Sequence, residues 1–242
     1  MNINKNIRSR FCRKIDYLQP VIEELDAEKS MILDELLTWI KQNAPNCITH
    51  LNNGATLDDI IEVEKEVEIP IPNDYKEFLL MHDGEEGVNF LAIFGDGNQL
   101  LPCSEIISQY KLDQEIGKEI YDPKFDNPKV WKNNIKEEII FVNGPVKPLH
   151  FHPKWLPMTC CNGNVFRYFD YDPAPGGLIG QIIEIDPECC RYEVIADNFT
   201  DLVGRYLIDL EKGFYEIGKD HYIERIKEND TKPTLPEWLK SV

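Results

Sequence analysis

The chain has 242 residues, of which 42% are hydrophobic and 10% aromatic, and this is enough to bury one sizeable core. Its 43 acidic and 26 basic residues leave a formal net charge of -17, and the pI is about 4.7. The negative charge argues against nucleic acid or an anionic membrane as the main partner, and it favours a basic protein partner.

Two further features of the sequence concern its location in the cell. No stretch approaches the roughly 20 apolar residues of a membrane-spanning helix, and no apolar segment follows the basic N-terminus to make a secretory signal. The seven cysteines are odd in number and scattered, unlike the even framework of a small secreted domain. We therefore expect a cytoplasmic protein with reduced thiols.

Residues 1–45 are predicted to form an N-terminal segment. Residues 1–14 carry basic side chains and no acid, and they predict an arm that leads into the first helix. From Leu18 to Ile40, apolar residues recur at steps of three, four and seven, which is typical of a long amphipathic helix that ends before Pro45. We expect its apolar face to pack on the core.

Two more helices are predicted between residues 51 and 84. Thr56 and Asp59 have the spacing of a capping box at the start of the first helix, and the prolines of "IPIP" end it. Asn73 is placed to cap the second helix, and Gly84 suits its left-handed termination. The residues predicted to face the core are Ile60, Val63 and Val67 in the first helix and Tyr75, Phe78 and Leu79 in the second.

The sequence from 88 to 148 predicts less regular structure. Alternating apolar residues at 90, 92 and 94 indicate a strand, and the glycine turn at 95–97 leads into a second short strand. A helix is expected over 104–110. The stretch 117–148 is rich in Asp, Asn, Lys and Pro, and it is predicted as an irregular elaboration with one strand, in "EEIIFVNG".

From residue 155 the pattern indicates a β-meander. Strands are predicted in "WLPMTC", "VFRYFDY", "LIGQIIEID" and "RYEVIA", and the Asn-Gly pair at 162–163 is a strong hairpin signal. In the third strand Ile179, Ile183 and Ile185 share one face, so Glu184 and Asp186 give the sheet a polar side. A closing helix is predicted from residue 200.

The loop "DYDPAPGG" between two of these strands raises the question of a metal or phosphate site. Asp170, Asp172 and Asp186 offer oxygen ligands, but a calcium loop needs more oxygens at tight spacing, and here rigid prolines follow two acids. The glycines follow no nucleotide-binding pattern, and the next element is a strand rather than a helix. We therefore predict a preordered connection with no metal and no cofactor.

Cysteine and histidine pairs are the other candidates for chemistry. Cys160-Cys161 and Cys189-Cys190 lie near turns at the same end of the predicted meander, but neither pair has the CxxC spacing of a zinc site, so free thiols are expected. The histidines at 82, 150 and 152 stand in no recognisable nucleophile motif and are predicted to be structural. A hydrolase that uses His150 or His152 with Asp170 is the least favoured hypothesis.

Four blocks of the sequence, in this order, resemble the SUKH superfamily, and specifically its Smi/Knr family of fungal cell-wall-assembly regulators and their bacterial relatives. The resemblance covers roughly residues 51–210. The blocks are "LNNGAT…DDIIEVEKEVEIPIPNDYKEFLLMHDG", "VKPLHFHPKWLPMT", "FDYDPAPGGLIGQIIEID" and "VIADNFTDLVGRYL". The resemblance implies an α+β fold with a mostly antiparallel sheet flanked by helices. With the pattern above it predicts a SUKH-like domain at 46–212, preceded by the extra N-terminal helix and followed by a tail at 213–242 that packs on it.

The resemblance also implies binding rather than catalysis. In bacteria the typical role is an immunity protein that neutralises a toxin domain, often a nuclease, and we predict this role, with occlusion of a basic toxin domain as the mechanism. The alternative is an intracellular regulatory scaffold of the cell-wall type. The candidate partner-binding residues are Asp96, Asp170, Asp172 and Glu184, which lie on predicted turns and on the polar strand face.

Overall fold

The computed structural model describes residues 31–240 apart from 87–91, 96, 121–125, 162–164, 219–222 and 227–234. The basic arm, the first part of the predicted N-terminal helix, the Asn-Gly turn and Asp96 therefore lie outside the described residues. The helices are α1 (31–43), α2 (Pro45–Ile48), α3 (Leu57–Val67), α4 (Asn73–Met81), α5 (Cys103–Ile120), α6 (Pro128–Lys136), α7 (Phe199–Glu211) and α8 (Glu237–Lys240). The strands are β1 (Gln99–Leu100), β2 (Phe141–Asn143), β3 (Trp155–Cys161), β4 (Val165–Asp170), β5 (Gln181–Asp186), β6 (Arg191–Ala196), β7 (Tyr215–Ile217) and β8 (Ile223–Arg225).

The main sheet confirms the α+β prediction. Its six strands run in the order β1-β3-β4-β5-β6-β2, and every neighbouring pair is antiparallel except β6 and β2. The predicted meander is the centre of this sheet, from β3 to β6. The strands β7 and β8 form a separate two-stranded sheet, which the sequence pattern did not predict.

Helices α3 and α4 follow the sequence pattern closely. The Thr56 backbone N–H donates to Asp59 Oδ2 at 2.8 Å, and the Asp59 N–H donates to Thr56 Oγ1 at 3.2 Å, so the capping box is confirmed. The six residues predicted to face the core are buried. The prediction of Asn73 as a cap was wrong, because α4 begins at Asn73 and Pro72 holds the N-cap position.

The sheet is covered on both faces by hydrophobic clusters. Phe169 and Ile182 are paired neighbours on one face and pack with α1, α3, α4 and α7. Tyr168 and Ile183 are the next pair along the strands, so they point to the opposite face, where Trp131 of α6 joins their cluster. In the described part of α1, Leu36 and Ile40 are fully buried, as expected for a helix that docks on the core.

The region 88–148 differs most from the sequence-based expectation. The helix predicted over 104–110 continues as α5 to Ile120, and α6 was not predicted at all. Trp131 and Ile135 are the buried residues of α6. Two apolar residues four positions apart, among lysines and asparagines, are a weak sequence signal for an amphipathic helix. The strand in "EEIIFVNG" is confirmed as β2, and the short strand after the glycine turn as β1. The described residues 92–95 form a turn rather than a strand.

The C-terminal residues that the structure describes contact the body. Trp238 Nε1 donates a hydrogen bond to Gly144 O at 3.1 Å, and its ring lies 6.0 Å from that of Trp131. Leu239 is fully buried in the same cluster, and Ile223 of β8 is buried in the other cluster. Both faces of the sheet therefore receive residues from beyond position 212.

Candidate binding site

The loop between β4 and β5 is organised around Asp170, whose carboxylate is fully buried. Its Oδ1 accepts hydrogen bonds from Trp155 Nε1 and from the Asp172 backbone N–H, each at 2.9 Å. Its Oδ2 accepts one from Gln181 Nε2 at 3.1 Å. Burial raises the pKa of Asp170, and the three donors act in the opposite direction. Asp170 was predicted as a contact residue, but a carboxylate inside the fold is inaccessible to a partner, so its role is to hold the loop.

Gln181 continues this internal network on the other side of the loop. Its Nε2 also donates to Pro145 O at 3.0 Å, and its Oε1 accepts the Leu178 N–H at 3.1 Å. A Cβ at Gly177 would lie 2.6 Å from Pro173 Cβ and 2.9 Å from Gln181 Oε1, so the loop needs glycine at this position. The loop is thus a braced connection between strands.

Asp172 lies at the surface end of this connection, beside Lys147 and His152. Its Oδ2 is 2.5 Å from Lys147 Nζ and 3.2 Å from His152 Nε2. The hydrogen bond from Lys147 lowers the pKa of Asp172, and burial lowers the pKa of His152. His152 therefore contacts Asp172, whereas Asp170 is bonded to Trp155 and Gln181. The hydrolase hypothesis requires a contact between a histidine and Asp170. The described residues show no such contact, because His152 contacts Asp172 instead.

The tip of the loop exposes two aliphatic side chains, Leu178 and Ile179. Ile179 was predicted to share a strand face with Ile183, and this was wrong. Strand β5 begins only at Gln181. Residue 179 belongs to the loop, which is closed by a hydrogen bond from the Gly180 backbone N–H to the Asp170 carbonyl oxygen at 2.8 Å. Ile179 is therefore 75% exposed, while Ile183 and Ile185 are buried.

The polar side of the sheet forms one wall of a groove of about 620 Å³. Arg167 and Glu184 face each other across β4 and β5, with Nε and Oε2 2.8 Å apart. On β6, Glu193 accepts from Arg191 Nη2 at 3.0 Å and from Asn143 Nδ2 at 3.3 Å. The opposite wall comes from α7, β7 and β8. Glu184 was predicted on this polar face and does lie there, in a charged row across the strands.

Sequence reasoning missed the arginines of this groove. The alternation in "VFRYFD" does place Arg167 on the same side as Phe169, but only the pairing of β4 with β5 brings it opposite Glu184. The groove and the Asp172 cluster lie at different ends of the β4–β5 pair, so the candidate contact residues do not form one site.

The described cysteines and acids do not converge on a metal site. Cys160, Cys189 and Cys190 are free thiols, and Cys189 N donates to Asp186 Oδ1 at 2.9 Å. Within the described ranges, no group of three His, Cys, Asp or Glu side chains is placed to hold a metal ion. His150 lies against the ring of Tyr192, with centroids 6.5 Å apart, in a packing contact.

A scan against protein-family models matches residues 54–205 to the SMI1 / KNR4 family (SUKH-1), which covers α3 through the first half of α7. The chain belongs to the SMI1/KNR4 family. The match spans α3 with its capping box, α4, the braced β4–β5 loop and all four central strands. The family domain therefore includes the sheet wall of the groove, while β7 and β8 lie beyond the matched residues.

Three fungal relatives are similar to this SMI1/KNR4 chain over most of its length. A "Glucan synthesis regulatory protein" of Neurospora crassa is 24% identical over 226 residues, or 84% of this chain and 42% of that protein. The "Cell wall assembly regulator SMI1" of Saccharomyces cerevisiae is 22% identical over 204 residues, covering 76% and 40%. A "Cell wall biosynthesis/cell cycle regulator smi1" of Schizosaccharomyces pombe is 25% identical over 184 residues, covering 75% and 36%.

This SMI1/KNR4 chain therefore aligns with about two fifths of the length of those relatives. Among the residues that the structure describes, no helix combines the length and the apolar character needed to cross a bilayer.

Proposed function

We propose that this chain is a non-enzymatic protein-binding module that acts as a regulatory scaffold. The names of its fungal relatives are those of regulators. The observation that carries the proposal is the SMI1/KNR4 match over 54–205, together with three relatives whose names are all those of regulators. On this proposal the chain assembles proteins that control wall synthesis.

The geometry supports binding in two ways. The charged groups on the β4–β5 pair are already paired with each other: Asp172 with Lys147 at the loop, and Arg167 with Glu184 on the strands. The carboxylate at the centre of the loop, Asp170, is committed to three structural hydrogen bonds. These arrangements shape a surface and leave the candidate acid and base groups occupied by structural contacts.

A second candidate function is immunity to a toxin domain, and the net charge of -17 favours it. A strongly acidic protein attracts a basic nuclease domain at long range and speeds their encounter. The charge alone supplies no specificity, so this candidate ranks below the regulatory scaffold.

The test is affinity purification of the tagged full chain from its source cells at low and at moderate salt, with quantitative mass spectrometry. A chain carrying Asp170→Ala serves as the control for loss of the folded surface. The scaffold proposal expects several partners that depend on the intact fold. One stoichiometric basic toxin domain, with rescue of growth when the two are co-expressed, would establish immunity instead. Equal recovery of all proteins by wild type and control would reject both.

A further inference from the structure

A second groove, of about 300 Å³, lies between α1, α4 and α7, and we call it the helical groove. Phe199 and Val203 of α7 form its buried apolar floor, and Leu33 of α1 joins them. Leu80 and Met81, at the end of α4, also line the groove, and they are 42% and 40% exposed. Exposed aliphatic side chains beside an apolar floor favour a covering segment, because removing them from water lowers the free energy.

The charged residues that line the helical groove are acidic. They are Asp74 and Glu77 of α4, and no basic side chain lines the groove among the described residues. Asp74 Oδ2 accepts hydrogen bonds from the Thr200 backbone N–H at 3.0 Å and from its hydroxyl at 3.1 Å, so this carboxylate contributes a negative potential rather than a free ligand. A segment that covers the groove is therefore expected to combine apolar and basic residues.

The basic arm of the same chain, residues 1–14, has this composition. It carries five basic residues and no acid, so all 43 acidic residues lie further along the chain. Ile3, Ile7 and Phe11 recur at steps of four, which is the spacing of an apolar stripe along one face of a helix. The sequence of the arm thus matches both the apolar lining and the negative charge of the helical groove.

The position of the arm in the chain places it within reach of the groove. The described part of α1 begins at residue 31, and Leu33, two positions later, lines the groove. Residues 15–30 connect the arm to this point, and a connection of that length spans about 24 Å as a helix and about 50 Å when extended. Such a tether holds the arm near the groove at an effective concentration on the order of millimolar.

We propose that the basic arm of this chain docks in the helical groove, with Ile7 and Phe11 against Leu80 and Met81 and with its basic residues beside the acids of α4. The arm is thus an intramolecular cover for the groove. The occupant is the arm rather than a separate protein because the arm combines matching charge with a permanent tether. This inference goes beyond the proposed function, since it concerns a contact within the chain and does not depend on which proteins the chain binds.

The first test is limited trypsin cleavage of the full chain, because trypsin cuts after the lysines and arginines of the arm when the arm is released. Two matched double variants are compared with the wild type. Leu80→Asn with Met81→Asn removes the exposed aliphatic wall of the groove, and Leu57→Asn with Ile61→Asn makes the same change at exposed positions of α3 outside its lining. We expect cleavage within residues 1–14, followed by mass spectrometry, to be about tenfold faster in the groove variant and unchanged in the α3 variant. Equal rates in all three chains would overturn the proposal.

A third variant changes the arm and leaves the groove intact. Ile7→Asn with Phe11→Asn removes two residues of the apolar stripe, so faster cleavage in this chain cannot come from a misfolded groove. We expect the same increase as in the groove variant. A rate equal to that of the wild type would reject the docking of this stripe.

A water-soluble carbodiimide locates the arm directly, since it joins a lysine amine to a carboxylate in contact with it. We expect links from Lys5 or Lys14 to Glu77 within one chain. The reaction is carried out on an equal mixture of isotopically labelled and unlabelled chains, so that links within a chain and between chains have different masses. Links to Glu77 only between chains would show that a second copy fills the groove, and links from the arm only to other surfaces would show that it lies elsewhere. Either result overturns the proposal.

Discussion

Trp155 and Asp170 form a buried hydrogen bond, in which the indole Nε1 donates to Oδ1 at 2.9 Å. The two residues are directly paired across β3 and β4, and Gln181 of β5 approaches the same carboxylate from the other side. A single acidic side chain thus connects three strands and the loop that follows them.

Replacing Asp170 with Ala should destabilise the fold by about 3 kcal/mol, because it leaves the Trp155 indole and the Gln181 amide as buried donors without an acceptor. Asp172→Ala removes a carboxylate at the surface and should cost about 1 kcal/mol or less. Urea unfolding of both variants measures the difference. Equal losses would contradict the structural role of Asp170.

Glu85 predicts a pH dependence of stability. Both carboxylate oxygens accept backbone hydrogen bonds, from Ile93 and Leu100 at 2.7 Å each, yet burial raises the pKa of Glu85 to about 7 from an ordinary 4.5. Between these two values the folded chain binds more protons than the unfolded chain, so the contribution of this group to stability falls as the pH rises. The slope is at most about 1.4 kcal/mol per pH unit.

The Glu85→Gln variant cannot titrate at this position. Its free energy of unfolding, relative to that of the wild type, should therefore rise between pH 4.5 and about 7 and be constant above that range. Denaturant unfolding at four or five pH values measures both curves. Parallel curves across this window would show that Glu85 has an ordinary pKa in the fold.

Two glycines should respond in opposite directions to the same substitution. A Cβ at Gly54 would lie 1.9 Å from Leu80 O, a backbone atom at the end of α4, so Gly54→Ala should cost at least about 2 kcal/mol. Gly204 lies inside α7, and its nearest neighbour would be Ile32 Cγ2 at 3.9 Å, so Gly204→Ala should stabilise the fold by about 1 kcal/mol. Thermal unfolding of the two variants measures both changes in stability, and each variant serves as the control for the other.

Thr159→Val should raise stability by about 1 kcal/mol, because the hydroxyl is buried without a partner among the described residues. The matched control is Thr200→Val. Its hydroxyl donates to Asp74 Oδ2 at 3.1 Å, so the same change there should lower stability by about 1 kcal/mol. A loss of stability in Thr159→Val would show that the hydroxyl is satisfied in solution.

Local sequence patterns predicted most of the helices and strands whose ends are set by interactions between residues close together in the sequence. The capping box at Thr56, the buried faces of α3 and α4 and the order of the central strands all follow from short-range spacing. The length of α5, the existence of α6 and the hairpin of β7 and β8 were missed. The apolar residues of α6 are few, so its stability depends on distant contacts such as that of Trp131 with Trp238.

The candidate contact residues illustrate the same limit. The sequence places Asp170 and Asp172 two positions apart in one polar loop, where they look equivalent. The fold buries the first against Trp155 and leaves the second at the surface with Lys147. Four arginines are far apart in the sequence and line one groove only because α7 and β8 lie opposite the polar side of β4–β6. They are Arg167, Arg191, Arg205 and Arg225.

The order of elements and the family resemblance determined the fold class. The sequence also determined the capping box of α3 and the alternation of the central strands, because these depend on residues within one or two turns of chain. Only the tertiary structure decided which polar groups are buried and which remain accessible. Burial depends on what the rest of the chain places against a side chain, and the groove and the Asp170 network are both products of strand pairing and helix docking.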